Sequence, residues 1–268
     1  MTDGSLLLGY VLQLAMVLVR VLGLWAFFPI FSRSTIPVLV KMSGGVAIAM
    51  ALTPSVSPLL PQWTISRLPE TYDIFKFVLS ELVIGAGMGL VVKWIFTSCL
   101  AGAQWVGTQI GFSMGAMFDP EMGGNETSWA EFNNWIFVMI FFSVGGHHLM
   151  LQGLVDSYNF KFDDMFSHLS QVREASQLWG WAGDQFFAWM LKLSAPLVVI
   201  VLGIQAAMGV LSKFVPQINV WMVSIPITIG LSVLVFSFLS PVYGDALKDL
   251  AIFNFQGQQV WLKYLGAR

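Results

Sequence analysis

Few residues in this chain have both the type and the spacing for catalysis or metal binding. His147 and His148 are adjacent, so on a helix they leave the backbone about 100° apart and lack the i, i+4 spacing with which two imidazoles share a zinc ion. They are read as polar helix positions. Asp119, Glu121, Glu126 and Glu131 form an acidic group without the regular ligand spacing of an EF-hand loop. No Gly-x-Ser-x-Gly elbow, phosphate-binding glycine loop or His-Glu-x-x-His occurs. No catalytic residue, metal or cofactor is therefore expected. The single cysteine, Cys99, lies in an apolar run; it excludes an intrachain disulfide and reads as a small buried hydrophobe.

Four charged residues raise a different chemistry. Arg20, Glu81, Lys93 and Lys192 each have hydrophobic residues on both sides. A charge at the centre of a bilayer costs from about 3 to more than 10 kcal/mol, so each needs a partner or water. Three readings stand: an ion path, pairing between helices of an assembly, or snorkelling to a helix end.

The elements that position these residues are apolar throughout. Hydrophobic residues make up 56% of the 268 and charged ones only 10%, far below the roughly 25% charged of a soluble domain. Uncharged runs cover 42–66, 94–118, 132–155, 193–212 and 214–244, and a sixth, 5–31, is interrupted only by Arg20. Each reaches the roughly 20 residues that a helix needs to cross a bilayer. Backbone groups in lipid must be satisfied within the segment, so an all-α integral membrane-type protein of about six to eight hydrophobic helices is expected. A net charge of −2 without a basic cluster speaks against nucleic acid as a partner. The start, MTDGSLLLGY, lacks the basic region of a cleavable signal peptide, so the first apolar segment reads as retained.

Local signals mark boundaries. Ser128 and Glu131 have the spacing of a capping box, predicting a helix start near Ser128. Pro54, Pro58, Pro61 and Pro69 make 58–70 a connection, and the few residues around Pro216 predict a tight antiparallel hairpin between the last two apolar runs. An amphipathic helix is expected within 157–184, with Met165, Phe166, Leu169 and Val172 on one face, and Gly257 reads as a break near the C-terminus. Residues 74–110 would form a helix of about 55 Å, which must break, tilt or leave a hydrocarbon layer of roughly 30 Å. That stretch carries Gly85-x-x-x-Gly89 and small residues at Ala103, Gly107, Gly111 and Gly115, a pattern for close backbone approach either within the chain or against a partner chain. No internal repeat or linker stands out, so 1–268 reads as one domain.

Three stretches together suggest a family: GFSMGAMFDPEMGG at 111–124, GHHLMLQGLVDSY at 146–158 and FVPQINVWMVSIPITIG at 214–230. They resemble the FliR proteins of the flagellar type III export gate, whose virulence-secretion relatives are called SctT. The resemblance covers essentially the whole chain. Its most specific piece is the Pro-Gln-x-Asn of Pro216, Gln217 and Asn219, followed by the Asp-Pro-x-x-Gly of Asp119, Pro120 and Gly123; the pair Gly146 and His147 leans flagellar.

The resemblance implies a component of the bacterial inner membrane and flagellar basal body, whose hairpins join FliP and FliQ in a helical hetero-oligomeric gate. FlhB, with FlhA, would lie against it, and unfolded flagellar subunits would pass through. Gly111, Phe112, Met114, Gly115, Met117, Phe118, Asp119, Pro120, Met122, Gly123 and Gly124 would form a lumenal plug. Gly85, Gly89 and Gly107 would serve assembly with Pro216, Gln217 and Asn219, and Arg20, Glu81 and Lys93 would pair with neighbouring chains rather than face lipid. A soft seal suits these residue types, because Met adapts to irregular surfaces and glycine frees the backbone. The alternatives are a virulence-type gate and a secondary transporter; the latter calls for a midplane site in two corresponding halves, which this sequence does not display.

Overall fold

The computed structural model describes residues 3–28, 37–60, 71–114, 127–159, 172–214 and 220–264. They form seven α-helices: α1 Asp3–Phe27, α2 Val38–Val56, α3 Thr71–Ile110, α4 Ser128–Ser143, α5 Gly146–Asp156, α6 Val172–Phe214 and α7 Val220–Tyr264. Single 3-10 turns follow α2, α3 and α5, and no strand occurs among the described residues. The all-α class is as expected. Among the described residues five helices are long and apolar enough to cross a membrane, and α4 and α5, bent by 65° at their break, reach that length and apolarity together.

Three of these helices are much longer than a bilayer requires. With 40, 43 and 45 residues, α3, α6 and α7 contain enough chain for about 60 to 68 Å each, roughly twice the hydrocarbon thickness. The 74–110 stretch therefore does not break. Gly257 does not break α7 either, nor do Pro226 and Pro241 within it. A glycine costs only about 1 kcal/mol in a helix interior, while Leu262 is buried, Trp261 covers Gly87 and Phe253 stacks on Trp181, so apolar packing on either side outweighs the local preference.

Two further expectations shift. The apolar run 132–155 is divided between α4 and α5 at Gly145, whose φ of 76° is left-handed and whose N–H donates to the Phe142 carbonyl at 3.1 Å. Residues 172–184 begin the long α6 rather than belonging to a separate amphipathic helix, and Ser157–Asn159 form the 3-10 turn after α5; 160–171, including Met165, Phe166 and Leu169, lie outside the described residues.

The chain divides into two compact units. The first comprises 1–94, 147–182 and 253–268. Its α1 and α3 touch backbone to backbone. A Cβ at Gly89 would lie 2.5 Å from the Leu24 carbonyl oxygen, one at Gly23 would lie 3.0 Å from the Ala86 nitrogen, and one at Gly85 would run into the Arg20 carbonyl. The Gly85-x-x-x-Gly89 face is thus used within the chain, answering one of the two possibilities left open by its spacing. On the other side of α1, Trp25 and Leu22 cover Gly44 and Gly45 of α2. The end of α7 closes the unit, with Trp261 over Gly87 and Gln258 against Gly153.

The second unit comprises 95–146 and 183–252. Val106 and Ile110 of α3, Trp129 of α4 and Val198 and Val201 of α6 form its core, against which Phe236 and Leu239 of α7 pack. Here α6 and α7 run antiparallel: Lys192 meets Asp249, while Ser212 near the end of α6 shares a cavity with Ser224 near the start of α7. This is the hairpin expected from the Pro216 region, whose residues 215–219 lie outside the described residues.

Candidate functional site

Polar chemistry in the first unit concentrates on Arg20. This residue is 2% exposed in the middle of α1, and it meets Glu81 of α3, 5% exposed. Arg20 Nε donates to Glu81 Oε2 at 2.5 Å and Nη2 donates to Oε1 at 2.8 Å, a two-pronged pairing of guanidinium and carboxylate planes. Nη1 donates to Ser157 Oγ at 2.7 Å, and that hydroxyl in turn donates to the Leu154 carbonyl at 2.6 Å. The Tyr158 ring covers the guanidinium carbon at 3.8 Å from its centroid. Three helical segments far apart in sequence are thereby tied at one point. The pairing is internal, which corrects the expectation that these two charges reach neighbouring chains.

The other two flagged charges are not buried here. Lys93 is exposed, its Nζ 5.8 Å from the Phe27 ring centroid. Lys192 has half its side chain exposed, lies 3.8 Å from Asp249 and sits 4.3 Å over the Trp189 ring. Each lies on a helix face that turns away from its unit's core, which an apolar flanking sequence alone does not reveal.

In the second unit the end of α3 positions the glycine and methionine stretch. Gly111 leaves the helix with a φ of 104°, a conformation that favours glycine. Its N–H donates to the Gly107 carbonyl at 3.2 Å. Phe112 then stacks on Trp129 at 6.1 Å between centroids and packs against the unit's core, at the root of the 111–124 stretch. Met114 closes the 3-10 turn Phe112–Met114. Gly115, Met117, Phe118, Asp119, Pro120, Met122, Gly123 and Gly124 lie outside the described residues, as do Pro216, Gln217 and Asn219.

The return of the chain is anchored by a cap one residue earlier than expected. Thr127, not Ser128, accepts the Ala130 N–H at 3.2 Å and starts α4. Its own N–H and hydroxyl both donate to Gln104 Oε1, at 2.7 and 3.1 Å. Gly107 lies directly beneath, where a Cβ would strike the Thr127 hydroxyl. The Gly107 spacing therefore serves contact within the chain. Gln104, Thr127, Ser157 and Tyr158 were not singled out by sequence reasoning, although Ser157 and Tyr158 stand within the 146–158 stretch that carries the resemblance. Changing Thr127 to Ala removes a cap that contributes about 1 kcal/mol. Hydrogen exchange of the Ala130 amide should accelerate roughly fivefold, while Thr127→Ser should keep the wild-type rate; equal rates in all three would remove the cap assignment.

Among the described residues no three His, Cys, Asp or Glu side chains gather as a metal site. The His147 and His148 rings lie 4.1 Å apart despite their divergent helix positions, because the side chains lean together. Residues 11–252 match the family described as bacterial export proteins, family 1. The chain belongs to that family. Among its relatives in the family, the flagellar biosynthetic protein FliR of Pectobacterium carotovorum is 27% identical over 241 residues, covering 88% of this chain and 87% of that one. FliR of Escherichia coli K12 is 24% identical over 251 residues, 88% of each. SpaR of Salmonella typhimurium, named for surface presentation of antigens, is 24% identical over 204 residues, 72% of each. The resemblance to FliR proteins and their virulence relatives is thus borne out across this bacterial export protein, and both the Arg20 cluster and the end of α3 fall inside the matched region.

Proposed function

We propose that this protein is a core component of the flagellar type III export gate. It assembles with FliP and FliQ, contacts FlhB and FlhA, and passes unfolded flagellar subunits across the bacterial inner membrane at the basal body. The observation that carries the reading is the match over residues 11–252 to the bacterial export family, together with flagellar names on relatives aligned over nearly nine-tenths of the chain. The lengths of α3, α6 and α7 support it. Helices of 40 to 45 residues exceed a simple span and suit a body built of several chains that reaches beyond the bilayer. Their exposed apolar side chains, among them Val199, Val210, Phe214, Met222 and Phe238, offer surface for neighbouring subunits or lipid. The virulence-type gate is the second reading, favoured by the match to SpaR.

Co-expression with FliP and FliQ, followed by mass measurement of the intact particle, tests the assembly. A stable hetero-oligomer containing all three is expected, and a lone chain or small homo-oligomer would return the transporter reading. In this gate, 111–124 acts as the lumenal plug, with Phe112 fastened to Trp129 at its root. Deleting residues 115–124 spares that root. The complex should form in normal yield while membranes carrying it leak ions, and the milder pair Met114→Ala and Met117→Ala should leak less. An assembled deletion variant as tight as wild type sinks the plug.

A further inference from the structure

A cavity of about 590 Å³ opens in the second unit where α3 ends, between the last turns of α6 and the first turns of α7. Its size is within the roughly 300–1,000 Å³ of small-ligand sites. Its lining is unusual for so apolar a chain. Seven of the twelve lining residues are polar, and none of the twelve is charged or aromatic.

The hydrogen-bonding capacity left over in this lining is of both kinds. Ser212 donates its hydroxyl proton to the Gly209 carbonyl at 2.7 Å and Thr108 donates to the Trp105 carbonyl at 2.8 Å, so each hydroxyl turns lone pairs outward as an acceptor. Gln205 Nε2 donates one N–H to the Gln109 carbonyl at the end of α3, at 2.9 Å, leaving its second N–H and its Oε1. Thr228, 3% exposed, adds a hydroxyl from α7. An anion would find no cation among these described residues, a cation no carboxylate, and a planar ring no aromatic face. An apolar ligand would leave the polar groups without partners.

A neutral group that both donates and accepts fits all of these conditions, and the peptide amide is such a group. We infer that this cavity binds extended polypeptide through its main-chain amides. The inference rests on the export reading and deepens it by naming what the conduit holds. Recognition of the main chain is indifferent to side-chain sequence, as a path for many different subunits requires. Neutral hydrogen bonds each contribute only about 1 kcal/mol net, so a moving chain exchanges them readily.

The test uses the assembled complex in membranes and a flagellar subunit stalled in transit by a stably folded domain fused to its C-terminus. A photoreactive benzophenone replaces Met208, which lines the cavity, or Leu211, which is exposed on the same helix and outside the lining. Cross-linking to the stalled chain is expected from position 208 and not from 211. Segments rich in Gly and Ser, in Lys, or in Asp should cross-link alike when stalled at this depth, whereas a run of prolines, which has no amide N–H, should cross-link about fivefold less. Thr228→Val should lower the yield for the first three segments and leave the proline segment unchanged. Export of the unfused subunit by the same membranes is measured in parallel. Normal export without cross-linking from 208, or with yields that follow side-chain charge, overturns the cavity inference and leaves the export reading intact. Absence of export from the wild-type assembly overturns both.

Discussion

Replacing Glu81 by alanine should lower the stability of the purified chain in detergent by about 3–5 kcal/mol, the cost of leaving a buried cation uncompensated. The size follows from the geometry. Arg20 is 2% exposed, and two of its three hydrogen bonds end on the Glu81 carboxylate. Without that carboxylate the guanidinium keeps only Ser157 and the Tyr158 face. Neither brings negative charge. The double variant Arg20→Met plus Glu81→Leu removes both charges and fills similar volume, so it should recover to within about 1 kcal/mol of wild type or exceed it. The coupling between the two positions is read by a double-mutant cycle on the thermal unfolding of all four proteins. Additive effects, or a neutral Glu81→Ala, would mean that the pair does not hold α1, α3 and the turn after α5 together.

Gly85→Ala should be the most damaging single-methyl change in the first unit. The added carbon meets the Arg20 carbonyl oxygen, which belongs to the backbone of α1 and has no rotamer with which to yield. The helices must separate, and overpacking of this kind costs about 1–3 kcal/mol or more. Separation also lengthens the Arg20 to Glu81 hydrogen bonds one turn away, so the loss should exceed the figure for a clash alone. Gly230 on α7 is the control. Nothing lies within 4 Å of a Cβ there, and alanine is the better helix former by about 1 kcal/mol. Gly230→Ala should therefore match or exceed wild-type stability in the isolated chain. Equal melting temperatures for the two variants would contradict the close approach of α1 and α3.

These two results bear on the export reading in a specific way. Both concern contacts inside one chain, so they should appear in the protein purified alone and persist when FliP and FliQ are present. Loss of assembly caused by Gly85→Ala would then be a consequence of a misfitted first unit rather than of a lost contact with a partner.

Composition and the lengths of the uncharged runs were enough for the sequence by itself to determine the helical membrane class, because satisfaction of backbone groups in lipid is a local demand met within each segment. The 111–124, 146–158 and 214–230 stretches likewise identified the family, and the match over 11–252 bears this out. The hairpin of α6 and α7 was legible from two apolar runs separated by a few residues. Pairings between distant positions were not. Arg20 and Glu81 are 61 residues apart, and nothing in a window around either distinguishes a partner in the same chain from one in another. The start of α4 shows the same limit at short range: Thr127 and Ser128 are both good caps, and Gln104, 23 residues earlier, settles the choice by accepting the Thr127 N–H. Gly257 reads as a break on propensity alone, yet the helix continues. The burial of Leu262, with Trp261 packed on Gly87 and Phe253 on Trp181, exceeds a local preference of about 1 kcal/mol. Only tertiary structure brings those distant surfaces together, so only it could decide where local preference gives way.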